Sequence, residues 1–366
     1  MLRSVTRSLH IIDKSTPQDC LRCLAALAGK GDEILSVGPG PYMRELTLRV
    51  RAVHAPMGLP ALCGRRMAGL AGEAEVIHAW SPAALKAARA AGRLAHLPVI
   101  YSLPCLPAAE LKSTLDLACA GLAILTVPTN SARNALVRSG APDSSVHVLP
   151  PPAAPLQNRD RLRSRAREAL GIADTDFLLV APGEITRDAG HTYACWAHAI
   201  VRHVRGGVKL LVPGSGVYLR GAKFFSGKTG FGHEALFAEE AFSLAESLAA
   251  ADAAVFFHKR DCGVTALAAA MAAGLPIACS DTPDARECTR GGRAAVLAQP
   301  ASPPSAAAAA LKLIEDHDLA SRCARAAAAI AAENFAPDAC RTKLREVHAA
   351  AAAHPALLDA QGCRPI

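Results

Sequence analysis

The chain has 366 residues, 51% of them apolar and only 4% aromatic, with a formal net charge of +8. That length outgrows a single core and fits two domains. A charged fraction of 20% in so apolar a chain excludes wholesale disorder, and no stretch reaches the roughly 18 continuous apolar residues of a bilayer span.

The first residues, "MLRSVTRSLHII", hold too short an apolar run for a secretory leader, so a cytoplasmic protein is expected. Its 12 cysteines follow no regular spacing, and reduced thiols are expected. Cys20 and Cys23 form a CxxC motif without a second pair, inside an apolar helical stretch, which reads as core rather than zinc. From there, short β-rich runs alternate with longer Ala- and Leu-rich runs, the signature of parallel strands with crossover helices. Strands are expected at "SLHIID", "EILSVG", "VIHAW", "LPVIYSL", "LAILTVP" and "VHVLPP". Helices are expected at Gln18 to Ala28, Pro82 to Gly92 and "TNSARNALVRSG", the last capped by Thr129 or Asn130 and stopped at Gly140.

The prolines of "VLPPPAAPLQ", Val148 to Gln157, break the rhythm and mark a domain boundary. Domains are accordingly expected at 1–152 and 153–334, with a helical tail at 335–366 packing back on the first. "NRDRLRSRAREALG" carries Arg159, Arg161, Arg163, Arg165 and Arg167. Arginines at every second position spread around a helix, so a solvated linker helix is expected. The alternation resumes at "DFLLVAPG", "VKLLVPG", "DAAVFFH", "LPIACS" and "AAVLA", with helices at Gly190 to Val204, Phe242 to Ala250, Val264 to Ala273 and Ser302 to Asp316. "PGSG", Pro213 to Gly216, lacks the full dinucleotide fingerprint and reads as a tight turn. Tyr218 to Glu240 gives no clear reading. Trp80 and Trp196 are taken as packing residues.

Two such sheets place ligands at the carboxyl ends of their strands, and facing domains would make the cleft between them the site. In "DCGVTALAAAMAAG", a strand runs out at Asp261 and a helix begins near Gly263. The free N–H groups and positive dipole end of that helix suit an anion. Gly263 admits close approach, Val264 and Thr265 supply amides and a hydroxyl, and the alanines pack the helix on its sheet. For each of these residues a plain structural role as cap or loop charge stands beside the ligand role.

The run "AMAAGLPIACSDTPDARE" resembles the GT-B-fold glycosyltransferases, and within them retaining family 4, from the nucleotide-sugar-binding helix through the next strand. "ILTVPTNSARNALVRSGAPDSSVHVLPPP" and "REALGIADTDFLLVAPGEITRDAGH" are similar to the end of that family's first domain and the entry to its second. The resemblance implies two Rossmann-like α/β domains facing across a cleft, transfer of a sugar from a nucleotide-diphosphate donor with retention, and neither metal nor other cofactor. It places Asp261 against the donor sugar. Gly183, Arg187, His191, Gly263, Val264 and Thr265 fall on the donor side and His78 on the acceptor side.

The sequence departs from the family pattern at several of these positions. The paired glutamates fall on Asp261 and Ala269, the diphosphate-gripping arginine and lysine on Glu184 and Ala189, a common histidine on Pro104, and the first glycine-rich loop on "DKSTPQD". Arg187 is the available substitute cation. An inactive homologue acting as a binding or scaffold protein is the alternative. The acceptor class, whether glycan, lipid-linked glycan or small molecule, stays open, as does a peripheral contact at the inner face of a membrane. Nucleic acid is disfavoured for want of interleaved aromatics or a known module.

Overall fold

A computed structural model describes residues 7–38, 46, 50–53, 60–103, 115–116, 120, 123–239, 241–261 and 263–353. Pro104, the first six residues and the tail beyond residue 353 lie outside the described residues. The chain forms two compact units, Met1–Pro150 with Pro337–Ile366, and Pro151–Ala336.

In the first unit, seven parallel strands among the described residues run in the order β3-β2-β1-β4-β5-β6-β7. They are β1 Ser8–Asp13, β2 Glu33–Val37, β3 Val50–Val53, β4 Val76–Ala79, β5 Val99–Ser102, β6 Ile124–Val127 and β7 Val146–Val148. β1, β4, β5 and β6 are buried throughout, and their few polar residues, among them His10, His78, Ser102 and Thr126, are buried with them. Edge strand β3, "VRAV", has only one fully buried residue and gave no strand signal. Helices α1 (Gln18–Leu27), α2 (Gly64–Gly69), α3 (Pro82–Ala95) and α4 (Asn130–Arg138) connect the strands. The Thr129 hydroxyl accepts from the Ala132 amide at 3.0 Å and starts α4, as its sequence position predicts.

The second unit holds six parallel strands among the described residues, ordered β10-β9-β8-β11-β12-β13. These are β8 Phe177–Val180, β9 Val208–Val212, β10 Ala235–Phe237, β11 Ala253–Phe256, β12 Ile277–Ser280 and β13 Val296–Ala298. α5 (Arg159–Leu170) precedes them, and α6 (His191–Val204), α7 (Leu219–Gly227), α8 (Leu244–Ala250), α9 (Val264–Ala272), α10 (Pro283–Cys288) and α11 (Pro303–Glu315) lie between or after. α12 (His317–Asn334) completes the unit, and α13 (Pro337–Ala352) returns to the first. The stop between α12 and α13 follows from Pro337, which lacks the N–H needed to continue a helix.

The bare helix of the sequence is α9, and its alanines do pack. Ala266, Ala268, Ala270 and Met271 are buried in one core with Ala327, Ile330 and Ala331 of α12. Cβ-sized side chains bring backbones close, which suits a chain short of aromatics.

The arginine-rich helix α5 departs from the solvated-linker reading. Arg167 is only 4% exposed. Its guanidinium donates to the carbonyls of Ala173, Asp176 and Ala250 and pairs with Asp252. Arg163 donates to Ala250 and Ala251 and to Asp252 at 2.6 Å. Two of the arginines therefore close the carboxyl end of α8, where cations meet unsatisfied carbonyls and the negative end of the dipole.

Candidate functional site

Within the second sheet the strand order reverses between β8 and β11, and crossovers leave to opposite sides there. Such a switch point opens a crevice at the carboxyl ends of the strands. Four segments meet at that end: the loop 181–190 after β8, the turn 213–216 after β9, the exit 257–263 of β11, and the start of α9.

Backbone-to-backbone contacts set the loop positions. A methyl on Gly190 (φ +74°) would stand 1.9 Å from the Phe257 carbonyl oxygen, so glycine is the residue that lets loop 181–190 back onto β11. The Lys259 amide donates to the Asp188 carbonyl at 2.9 Å, a second tie between the same segments. On the other flank, a methyl on Gly214 would stand 2.4 Å from the Gly183 oxygen, and one on Gly216 2.4 Å from the Ile185 oxygen. The Ile185 amide donates to Ser215 at 2.9 Å. "PGSG" is the tight turn its sequence suggests, and its partner is the β8 loop.

Gly183, at φ +118°, lies across from the first turn of α9: a methyl added to it would sit 3.7 Å from the Ala266 methyl. α9 itself begins at Gly263, its N-cap at φ +67°. The amides of Val264, Thr265 and Ala266 open the helix, where no carbonyl one turn earlier is available within it. Val264 buries its side chain while Thr265 and Gly263 are half-buried.

The reason for a glycine at 263 differs from the expected one. A methyl there would meet His258 Cε1 at 2.5 Å and Nε2 at 2.9 Å. Gly263 thus seats the helix tip on a buried imidazole, a close approach inside the protein that requires no ligand. His258, which closes the β11 exit and packs edge-on to Phe256 at 5.8 Å, carried no signal beyond ending the run "DAAVFFH".

His191 is the first residue of α6 and is 3% exposed. Burial pushes its imidazole down to about 4, a hydrogen bond to the Ala181 carbonyl opposing that shift. Burial, reinforced by His191, pushes His258 to about 3. Both rings are neutral at physiological pH. The Nδ1 atom of His191 is buried and has no hydrogen-bond partner among the described residues. Arg187 is exposed in the same loop, where a long cation can swing toward an anion.

Asp261 occupies the β11 exit, half-buried. Its Oδ1 accepts from the Asp284 amide at 2.8 Å, in the first turn of α10. One carboxylate oxygen is therefore committed to a helix start, the capping role that stood beside the sugar-contact role. Ala269 lies on α9, half-buried against the core, and brings no carboxylate.

His78 belongs to another environment, inside the first unit. It is fully buried, stacked on Trp80 at 4.4 Å, with Nε2 2.7 Å from Ser102 Oγ and Nδ1 3.2 Å from His348 Nε2. Burial, then the neighbouring His348 and His10, hold its imidazole well below the usual range. Both ring nitrogens are spent within this core, so the acceptor-side reading is corrected: a fully buried, fully bonded ring has no face for a substrate. The "DKSTPQD" segment forms an Asp-centred turn, with Asp13 Oδ1 accepting from Ser81 at 2.5 Å and from Thr16 at 3.2 Å. Trp196 also departs from its reading: it is 48% exposed on α6, whereas Trp80 is buried as expected. The described cysteines are all free, and no group of three or more metal-ligating side chains stands among the described residues.

With this geometry in hand, comparison places residues 163–329 in the family model "Glycosyl transferases group 1". That span is the second unit, less its first and last few residues. Comparison with curated protein sequences gives no match. Among solved structures, Anabaena HepE, determined with UDP and glucose, aligns with a TM-score of 0.81 at 18% identity over 93% of this chain and 99% of its own. Sucrose-phosphate synthase from Thermosynechococcus elongatus aligns at 0.73 and 15% identity, covering 94% and 98%. WaaG, a glycosyltransferase involved in lipopolysaccharide biosynthesis, aligns at 0.67 and 14%, covering 93% and 99%. The fold is therefore that of the GT-B glycosyltransferases, two parallel sheets of Rossmann-like type.

Proposed function

We propose that the second unit binds a nucleotide-diphosphate sugar at the carboxyl ends of β8, β9 and β11, and that the chain transfers its sugar, with retention, to an acceptor. The observation that carries this reading is the meeting of Gly183 with the first turn of α9, after a loop that ends at His191, whose buried Nδ1 has no hydrogen-bond partner among the described residues. A diphosphate there would take the opening amides of α9, whose dipole favours negative charge. Arg187 would close over it. Retaining transfer builds negative charge on the leaving diphosphate, so fixed donors aimed at that charge are the main catalytic requirement. His191 and His258, held neutral by burial, add no charge at working pH, so the positive potential for the diphosphate comes from the α9 amides and Arg187. The free oxygen of Asp261 would meet the donor sugar, its other oxygen being held by the Asp284 amide.

HepE, solved with UDP-glucose, supports a uridine donor as the first to try. Glu184 and Ala189 stand where the family resemblance implies an arginine and a lysine, and Asp261 has a structural partner. These observations favour a second reading, a binding or scaffold protein that has lost its donor. Titration calorimetry with UDP, GDP and ADP separates the two, because a scaffold of that kind gives no heat with any of them.

A further inference from the structure

α6 and α7 present an aromatic surface that the donor site does not use. The chain has nine phenylalanines, and Phe224, Phe225, Phe231 and Phe237 fall in the one short span that gave no clear sequence reading. Phe224 is 70% exposed, Val217 93% and Trp196 48%. Trp196 joins the group across the helix pair, its ring 5.7 Å from that of Phe225. In a protein whose cores are starved of aromatics, leaving these rings in water is a patch that calls for an occupant.

The cations around it identify the occupant's chemistry. Lys228 holds its ammonium 5.3 Å from the Phe224 ring centroid, and Arg220 is exposed one turn before Phe224. Neither has an acidic partner among the described residues. Lys223 pairs with Glu239 at 2.5 Å, and Arg202 pairs with Glu234 while lying 5.4 Å from the Phe231 ring. Glu239 and Glu234 are thus each paired with a cation, which leaves Arg220 and Lys228 as the cations this face offers a ligand among the described residues. Aromatic rings seat at the boundary between headgroups and acyl chains, and lysine and arginine reach from there to lipid phosphates. No described helix is long and apolar enough to cross a membrane, so contact would be peripheral.

We propose that Trp196, Val217, Phe224 and Phe225, ringed by Arg220 and Lys228, dock the protein on an anionic lipid bilayer. The test is flotation of the full chain with vesicles of phosphatidylcholine alone, or with a quarter phosphatidylglycerol. Partition onto the anionic vesicles should exceed that onto neutral ones about 25-fold, since Arg220 and Lys228 near such a surface each contribute roughly fivefold, and should fall steeply with salt. Phe224→Asp should lower it about tenfold, and Arg220→Glu with Lys228→Glu at least about 25-fold, while Leu94→Asp, an exposed apolar control in the first unit, should change nothing. All these side chains are exposed, and unchanged circular dichroism and melting verify that the variants fold. Equal binding to neutral vesicles, no binding to anionic ones, or no effect of Phe224→Asp would overturn the proposal. So would a lipid-free dimer abolished by Phe224→Asp, which would make a second copy of the chain the occupant.

Discussion

Gly263→Ala tests whether the helix tip rests on the imidazole as described. At φ +67° an L-residue costs roughly 1–2 kcal/mol. The added carbon would also stand 2.5 Å from His258 Cε1, and His258 is 6% exposed with little room to yield, an overlap worth about 1–3 kcal/mol. Together these give a loss of about 2–5 kcal/mol. His258→Ala removes the ring and hence the clash, so in that background the same substitution should cost only the backbone share, about 1–2 kcal/mol. Calorimetric unfolding of the four proteins, read on the transition of the second unit, gives the coupling directly. A Gly263→Ala penalty below about 0.5 kcal/mol, or the same penalty in both backgrounds, would refute the contact.

The same architecture sets two further expectations. Arg167→Ala should destabilise the second unit by about 2–4 kcal/mol, because it leaves the Ala173 and Asp176 carbonyls without their donor and Asp252 with Arg163 alone, while Arg161→Ala, at an exposed position of α5, should stay within about 0.5 kcal/mol; equal effects in chemical denaturation would contradict the buried network. Burial holds His191 near 4 in the fold against an ordinary 6.5, so the unfolded chain binds its proton first as pH falls. Its contribution is fully present above about pH 6.5 and is lost progressively as pH drops toward 4. His191→Gln should therefore show a shallower loss of stability between pH 7 and 5 than the parent, and an unchanged slope would count against burial of a neutral imidazole.

Patterning made most of the fold legible. Buried parallel strands such as "AAVF" and "IACS" are apolar but for the closing Ser280, and helices such as α4 and α11 begin on residues whose hydroxyls do cap them. β3 and β10 were missed because both are short edge strands, β3 interrupted by Arg51 and β10 only three residues long. The arginines of α5 misled because periodicity reports which way a side chain points and says nothing about the carbonyls and carboxylate that wait for it. At the site, the sequence located the helix start and the Gly-rich approaches correctly. It could not see that Asp261 caps α10, because that contact joins segments only the folded sheet brings together, nor that the short loop leaving β11 turns His258 under Gly263. His78 was misjudged for a related reason: a histidine ending a strand reads alike whether it faces solvent or a partner such as His348, which lies in α13, far along the chain.

The account turns on an anion seat at the opening of α9, and titration calorimetry of the intact protein with UDP, GDP and ADP tests it most directly. At least one nucleotide should bind, and Arg187→Ala should weaken that binding about tenfold, the share of one charge-assisted hydrogen bond. Absence of heat with all three nucleotides, or binding that ignores Arg187→Ala, would contradict the donor site as built here.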